Sequence, residues 1–149
     1  MYGKVKCGLG VFFLALIAAF FLWGCAEEPK EAELEVADAE FSIREDHENH
    51  YVVDAKGVIK NVGEVDVKNV EVTGYCRSCR EEIIDGEWFV SGYEKMSNQK
   101  DVISRLPAGG QAEFEFEEVA FCAVNRTKEA PTELPEEIDI SIESYETAE

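Results

Sequence analysis

Beyond the N-terminal segment, five side chains carry the thiol or imidazole groups that are typical of zinc sites and of thiol redox chemistry. Three are cysteines, Cys76, Cys79 and Cys122, and two are histidines, His47 and His50. Thiolate sulfur and imidazole nitrogen are the ligands of structural zinc sites, so three sulfurs and one nitrogen would make a tetrahedral set. Two of the thiols could instead form a disulfide, and the CxxC spacing of Cys76 and Cys79 is compatible with either interpretation.

A CxxC motif is also typical of thioredoxin-like redox proteins. There it lies at a helix N-terminus, where the helix dipole lowers the thiol pKa. Here the motif ends a run in which Val70, Val72 and Gly74 occupy alternate positions, a pattern typical of a strand. The pattern favours a structural role. A metal-binding or thiol-redox module that uses the CxxC, Cys122 and a histidine is the alternative, and zinc would be its cofactor.

The sequence of the N-terminus predicts a targeting segment. Lys4 and Lys6 precede an uncharged apolar run over residues 8–26, the order of charges and apolar residues in a secretory signal. The run ends in Leu22-Trp23-Gly24-Cys25, which resembles the lipobox of prokaryotic lipoproteins. This resemblance implies that residues 1–24 are a signal peptide and that Cys25 carries the lipid. The alternative is an uncleaved anchor, since residues 8–26 are long enough to span a bilayer.

Either interpretation attaches the protein to the cell membrane and places the rest of the chain outside the cytoplasm. Residues 25–33 are polar, include Pro29 and predict a flexible tether, and residues 34–147 form the domain. Free thiols are uncommon in oxidising compartments outside the cytoplasm. We therefore expect at least one disulfide among Cys76, Cys79 and Cys122.

Charge and missing motifs exclude several functions. The 149-residue chain has 32 acidic and 14 basic side chains, a net charge of −18. Affinity for nucleic acid comes from basic side chains that neutralise phosphate, so nucleic acid is excluded as a partner. The sequence has no glycine-rich phosphate loop, Ser-His-Asp set or metalloprotease helix motif. We therefore expect a protein that is not an enzyme.

The periodicity after the tether is that of short β-strands. Apolar residues alternate over residues 34–45, with a break near Asp38, and again over residues 51–60, 65–76, 111–119 and 138–145. Turns at residues 61–63 and at Asp85-Gly86 each predict a β-hairpin between the runs that flank them. The sequence predicts an all-β antiparallel sandwich or barrel with no helix after the signal.

The order of these runs resembles the small immunoglobulin-like extracellular domains of prokaryotic lipoproteins, of which the FxLYD and CARDB types are the closest. The matching residues are Gly57, Lys60, Asn61, Gly63, Val70, Val72, Leu106-Pro107-Ala108-Gly109, Phe114 and Phe116. The resemblance covers residues 34–145 and implies a single immunoglobulin-like antiparallel β-sandwich. Such domains are modules for adhesion, assembly or substrate presentation and have no active site to transfer.

The resemblance also implies where the thiols lie. In an immunoglobulin-like sandwich, successive connections alternate between the two ends, so Cys122 would share one end with Cys76 and Cys79. A bridge from Cys122 to one of them is then expected, closing a loop of roughly 45 residues. The connection that carries His47 and His50 would lie at the same end.

The sequence also predicts a glycosylation site and a pair of partly buried side chains. Asn125-Arg126-Thr127 is an N-glycosylation sequon in an expected loop. Trp88 and Val90 are expected to share one face of the hairpin and to pack partly against the core. The sequence thus predicts a non-catalytic, membrane-tethered extracytoplasmic module for binding or assembly. Its partner would be a protein or surface contacted through loops or through the hairpin of residues 83–90.

Overall fold

The computed structural model describes residues 30–148, and this part of the chain is all-β, as predicted. The seven strands are β1 (Leu34–His47), β2 (His50–Asn61), β3 (Val67–Cys76), β4 (Trp88–Phe89), β5 (Lys100–Leu106), β6 (Gln111–Ala123) and β7 (Ile138–Thr147). The helical structure within these residues is one short 3-10 turn, Ser97–Gln99. The predicted signal or anchor, the apolar segment 8–26 and Cys25 lie outside the described residues.

The strands form two antiparallel sheets. One has the order β1-β2-β6-β4 and the other the order β5-β3-β7. Each long strand alternates between side chains that face the other sheet and side chains that face solvent, because successive residues of a strand point to opposite sides. The single core that lies between the sheets consists of Val53, Ala55, Ile59, Val67, Val70, Val72, Cys76, Ile103, Leu106, Phe114, Phe116, Val119 and Ala120.

The predicted break in the first strand is confirmed. Val36 pairs with Ile59 and Asp38 pairs with Val58, so Ala37 is an extra residue without a partner in β2. This is a β-bulge, which bends the strand and increases its twist. The bend brings the carbonyl oxygen of Asp38 over Gly57, where a Cβ atom would lie only 2.2 Å from that oxygen.

The predicted hairpin between β2 and β3 is wrong. The connection after Asn61 carries the chain from one sheet to the other, and β3 pairs with β5 and β7 instead. Asn61 is buried and organises this crossing: its Nδ2 donates to the carbonyl oxygens of Val65 at 2.8 Å and Leu106 at 3.1 Å. Its Oδ1 accepts from the amide of Gly63 at 3.1 Å.

The predicted Asp85-Gly86 hairpin is also wrong. Gly86 does have a positive φ of 81°, but β4 pairs with β6 rather than with a preceding strand. The turn docks on the end of β6 because the Gly86 amide donates to the carbonyl oxygen of Ala123 at 2.8 Å. The carboxylate of Asp85 accepts from the backbone amide and the side chain of Asn125, both at 2.8 Å.

The end of the predicted tether is attached to the domain. The amides of Val62 and Gly63 donate to the carbonyl oxygen of Glu33 at 2.8 and 3.1 Å. The amide of Glu64 donates to the carbonyl oxygen of Glu31 at 3.0 Å. A Cβ on Gly63 would lie 2.4 Å from the Glu33 nitrogen, so only glycine allows this approach. Residues 31–33 therefore belong to the domain.

Candidate functional site at the end opposite the tether

The predicted site residues gather at one end of the two sheets. The turn between β1 and β2 carries His47 and His50, β3 ends at Cys76, and Cys122 is the next-to-last residue of β6. The tether, the crossing at Asn61 and the end of β7 lie at the opposite end, since the amide of Ala148 donates to Asp66. We call the first of these the distal end.

The disulfide joins Cys76 to Cys79, with the two Cα atoms 5.4 Å apart. The predicted bridge from Cys122 to one of these cysteines is therefore wrong, and Cys122 is a buried free cysteine. Cys122 belongs to the other sheet, where it lies opposite Trp88 of β4 and Tyr51 of β2. Burial raises the pKa of its thiol, which keeps the sulfur protonated and unreactive.

The structure does not assemble the alternative zinc set. Within residues 30–148, no group of three or more histidine, cysteine or acidic side chains lies close enough together to hold a metal ion. His47 contacts Asp46, with Nε2 and Oδ2 3.2 Å apart, and Nδ1 of His50 lies 3.0 Å from the carbonyl oxygen of Glu48. The sulfurs of Cys76 and Cys79 are bonded to each other, so neither is a thiolate.

Asn125 of the predicted sequon lies in an exposed turn at the distal end. Its Oδ1 accepts from the amide and hydroxyl of Thr127, at 2.9 and 2.5 Å, while its Nδ2 donates to Asp85. Lys128 and then the Asn125 amide hold the pKa of Asp85 below its usual range. The sequon is exposed, as predicted, and its glycosylation stays a prediction.

The distal end also contains an open cleft of about 740 Å³. Its walls are the segment after the disulfide and the connection between β6 and β7. The two walls are joined because Nε1 of Trp88 donates to the carbonyl oxygen of Glu133 at 3.0 Å. Trp88 and Val90 pack against the core, as predicted, whereas Leu134 is 38% exposed at the cleft. Arg80 and Glu87 form an ion pair on the other wall.

A second, smaller cavity was not predicted from the sequence. It has a volume of about 110 Å³ and lies between β3, β6 and the connection that precedes β5. Lys95 and Glu118 are among its lining residues. Glu118 follows Glu117 in β6 and has a φ of +60°, so the break in the Phe-Glu alternation was the one signal of a bulge there.

Lys95 reaches the backbone of β3 from the loop that follows β4. Its ammonium group donates to the hydroxyl of Thr73 at 3.0 Å and to the carbonyl oxygen of Gly74, and it lies 3.8 Å from the centre of the Tyr75 ring. Desolvation lowers the pKa of Lys95, and the negative charge of Glu143 partly offsets this effect. The lysine thus fixes the loop against β3.

Comparisons with family models, with curated proteins and with solved structures gave no match to this chain. In the part of the chain that the structure describes, we find no candidate for a membrane-spanning helix.

Proposed function

We propose that the protein is a membrane-tethered extracytoplasmic binding module that is not an enzyme and presents its distal end to a protein partner. The observation that carries this proposal is the placement of the cleft. The tether joins the domain at one end, and the cleft with its disulfide and its tryptophan lies at the other. A binding surface on a tethered domain is most accessible at the end farthest from its anchor.

An immunoglobulin-like sandwich is the architecture we propose for the domain. The support is the antiparallel pairing, the shared core and the crossing between sheets after β2. In folds of this kind, the loops at the ends of the sandwich are the usual binding surfaces, because they vary while the sheets hold them in place.

We propose that a lipid on Cys25 attaches the protein to the membrane. In the alternative, the apolar segment 8–26 is not cleaved and anchors the protein itself. The support is the sequence Leu22-Trp23-Gly24-Cys25 after a basic start and an apolar run. Mass spectrometry of the N-terminal peptide from purified membranes tests it. We expect a peptide that begins at a diacylglyceryl-modified Cys25, and the variant Cys25→Ser keeps the full signal instead. An unmodified N-terminus at Met1 in the wild type would show that the segment is an anchor.

The cleft has the features of a surface that binds an extended peptide. It is concave and combines an apolar side chain, Leu134, with the ion pair of Arg80 and Glu87. Its wall at residues 130–136 contains Pro131 and Pro135, which limit the conformational entropy that binding would cost. The Trp88 hydrogen bond to Glu133 holds this wall in place.

Site-specific photocrosslinking in intact cells tests the location of the binding surface. A photoreactive residue replaces Leu134 in the cleft, and a matched control replaces Val102, which is 50% exposed on β5 outside the cleft. We expect a discrete crosslinked protein from position 134 and none from position 102. The same products from both positions would contradict the proposed surface.

A further inference from the structure

The two residues enclosed by the disulfide hold one wall of the distal cleft. The amide of Arg77 donates to the carbonyl oxygen of Glu137 at 2.8 Å, and the amide of Glu137 donates to Oγ of Ser78 at 3.1 Å. Glu137 directly follows Glu136, which lines the cleft. The end of the connection between β6 and β7 is therefore bonded to the segment between the two sulfurs.

The residue that follows the disulfide holds the other wall. The amide of Arg80 donates to the carbonyl oxygen of Trp88 at 3.0 Å, and the carbonyl oxygen of Arg80 accepts from the amide of Val90 at 2.8 Å. The guanidinium of Arg80 also forms the ion pair with Glu87. Residues 77–80 thus connect the two walls, and the disulfide restricts the conformations of this segment.

The disulfide links this surface segment to the core. Arg77, Ser78 and Arg80 are exposed, and Cys79 is only partly buried. Cys76, by contrast, is 9% exposed and belongs to the core between the sheets. Without the bond, the segment would keep only hydrogen bonds and ion pairs at the surface, where water competes for the same groups.

A thiolate that opens this disulfide must come from another molecule. The third cysteine of the described residues, Cys122, is buried in the other sheet. Burial raises the pKa of its thiol and keeps the sulfur protonated, whereas the attacking species in disulfide exchange is a thiolate. The partly exposed Cys79 carries the sulfur that such a molecule can reach.

We propose that the Cys76–Cys79 disulfide is a redox switch for the distal cleft, which a dithiol reductant outside the cytoplasm opens. This inference rests on the function proposed for the cleft. A thiolate of the reductant attacks Sγ of Cys79, forms a mixed disulfide and releases Cys76, which takes up a proton. The second thiol of the reductant then displaces Cys79. Two electrons and two protons pass to the domain, and the reductant becomes a disulfide.

The oxidised form is the one that binds. Walls that are held in place lower the entropy that a partner loses on binding. In the reduced form, residues 77–80 sample further conformations, so that only a fraction of the molecules present both walls correctly, and the apparent affinity falls by that fraction. Because the bond closes so short a loop, the expected loss is limited to about one tenfold step.

Amide hydrogen exchange of the full-length protein in detergent, before and after reduction with dithiothreitol, tests the switch without a partner. The amides that report the wall contacts are those of Arg77, Arg80, Val90 and Glu137. We expect all four to exchange about tenfold faster after reduction. The amide of Glu64, which is bonded at the tether end, is the control and should keep its rate. Unchanged rates at the four wall amides, or an equal increase at Glu64, would overturn a local switch.

The variant Cys76→Ser/Cys79→Ser separates reduction of this bond from other effects of dithiothreitol. It should exchange at the rate of the reduced wild type, both with and without the reductant. A response of the variant to dithiothreitol equal to that of the wild type would show that another site is responsible, and would overturn the proposal.

Photocrosslinking from position 134 in intact cells then tests whether the disulfide controls binding. We expect Cys76→Ser/Cys79→Ser to give about three- to tenfold less crosslinked product than the wild-type cysteines at equal protein level. Equal yields would overturn the switch while leaving the binding surface in place. No product from either form would overturn the proposed binding surface and the regulation that rests on it, whereas the exchange rates would still show whether the disulfide holds the walls.

Discussion

The ring of Phe114 lies across Gly57, so close that a Cβ atom on Gly57 would be 2.6 Å from its Cζ atom. The two residues are direct neighbours in the pairing of β2 with β6. The bulge in β1 brings the carbonyl oxygen of Asp38 to within 2.2 Å of the same Cβ position. Atoms of both neighbouring strands, β1 and β6, therefore lie at the position that a side chain on Gly57 would occupy.

Gly57→Ala should destabilise the domain. The added methyl group meets both a backbone oxygen and a fixed aromatic ring, so one strand must move. Overpacking of this kind costs about 1–3 kcal/mol, and urea denaturation should show a loss in the free energy of unfolding within that range. Gly92→Ala is the control, because no atom lies within 4 Å of its Cβ position. Equal stabilities of the two variants would contradict the close approach described here.

Alkylation of thiols followed by peptide mapping should distinguish Cys122 from the other two cysteines of the domain. Under native conditions without reductant, Cys122 should react slowly, because it is buried and its pKa is raised. Denaturation alone should expose it. Cys76 and Cys79 should become reactive only after reduction, since they are bonded to each other. A Cys122-containing disulfide peptide would contradict this pairing.

The double variant Cys76→Ser/Cys79→Ser should lower the free energy of unfolding by less than the loss of a long-range disulfide would. The bond joins residues only three apart, and in the chain-entropy model so short a loop contributes about 2 kcal/mol. The free energy of unfolding from urea titration should fall by about this amount. The reduced wild-type protein provides the comparison, since it loses the same bond and keeps both side chains.

Gly63→Ala should detach residues 31–33 from the domain. The new methyl group would collide with the Glu33 nitrogen and the Glu31 carbonyl oxygen, which are backbone atoms. A protease that cleaves after glutamate should then cut after Glu31 and Glu33 several times faster than in the wild type. Far-UV circular dichroism should remain that of the folded domain. Unchanged cleavage rates would mean that the three hydrogen bonds do not hold this segment in solution.

Asp66→Asn should lower the stability of the protein at neutral pH, and the difference from the wild type should disappear in acid. The guanidinium of Arg105 and then the amide of Ala108 hold the pKa of Asp66 below its ordinary value in the folded state. The stabilisation is therefore complete above the unfolded pKa of about 4, and it is lost as the pH falls through the folded pKa. The melting temperatures of variant and wild type should begin to converge as the pH falls below about 4, and should meet below the folded pKa. Glu129→Gln, in an exposed loop, is the charge control.

The sequence predicted the strands well because their signal is local. Alternation over residues 51–60 and 111–119 reports which side chains face the core, and a bulge near Asp38 shows itself as a break in the alternation. The same signal does not report which sheet the next strand joins. The turns at Asn61 and Asp85 are real, but their partners, Leu106 and Asn125, are 45 and 40 residues away in the chain.

The candidate site was predicted in part for a similar reason. The distal placement of Cys76, Cys79 and Cys122 follows from the alternation of connections between the two ends. Their pairing does not, because Cys76 and Cys79 bond to each other and Cys122 is buried in the other sheet, where it pairs with Trp88 of β4. The cavity with Lys95 and Glu118 depends on a loop that lies across β3, and no periodicity in a sequence reports such a long-range contact.

If Cys25 carries the lipid, as we propose, the attachment of residues 31–33 would limit the height of the domain above the membrane. Six residues separate Cys25 from Glu31, and a chain of that length spans at most about 20 Å. The 14 residues of β1 rise about 45 Å along the domain. The cleft would then stand at most about 65 Å above the lipid headgroups, and the net charge of −18 would repel the domain from an anionic surface. The length of the tether and the domain would therefore limit how far from the membrane a partner could be reached.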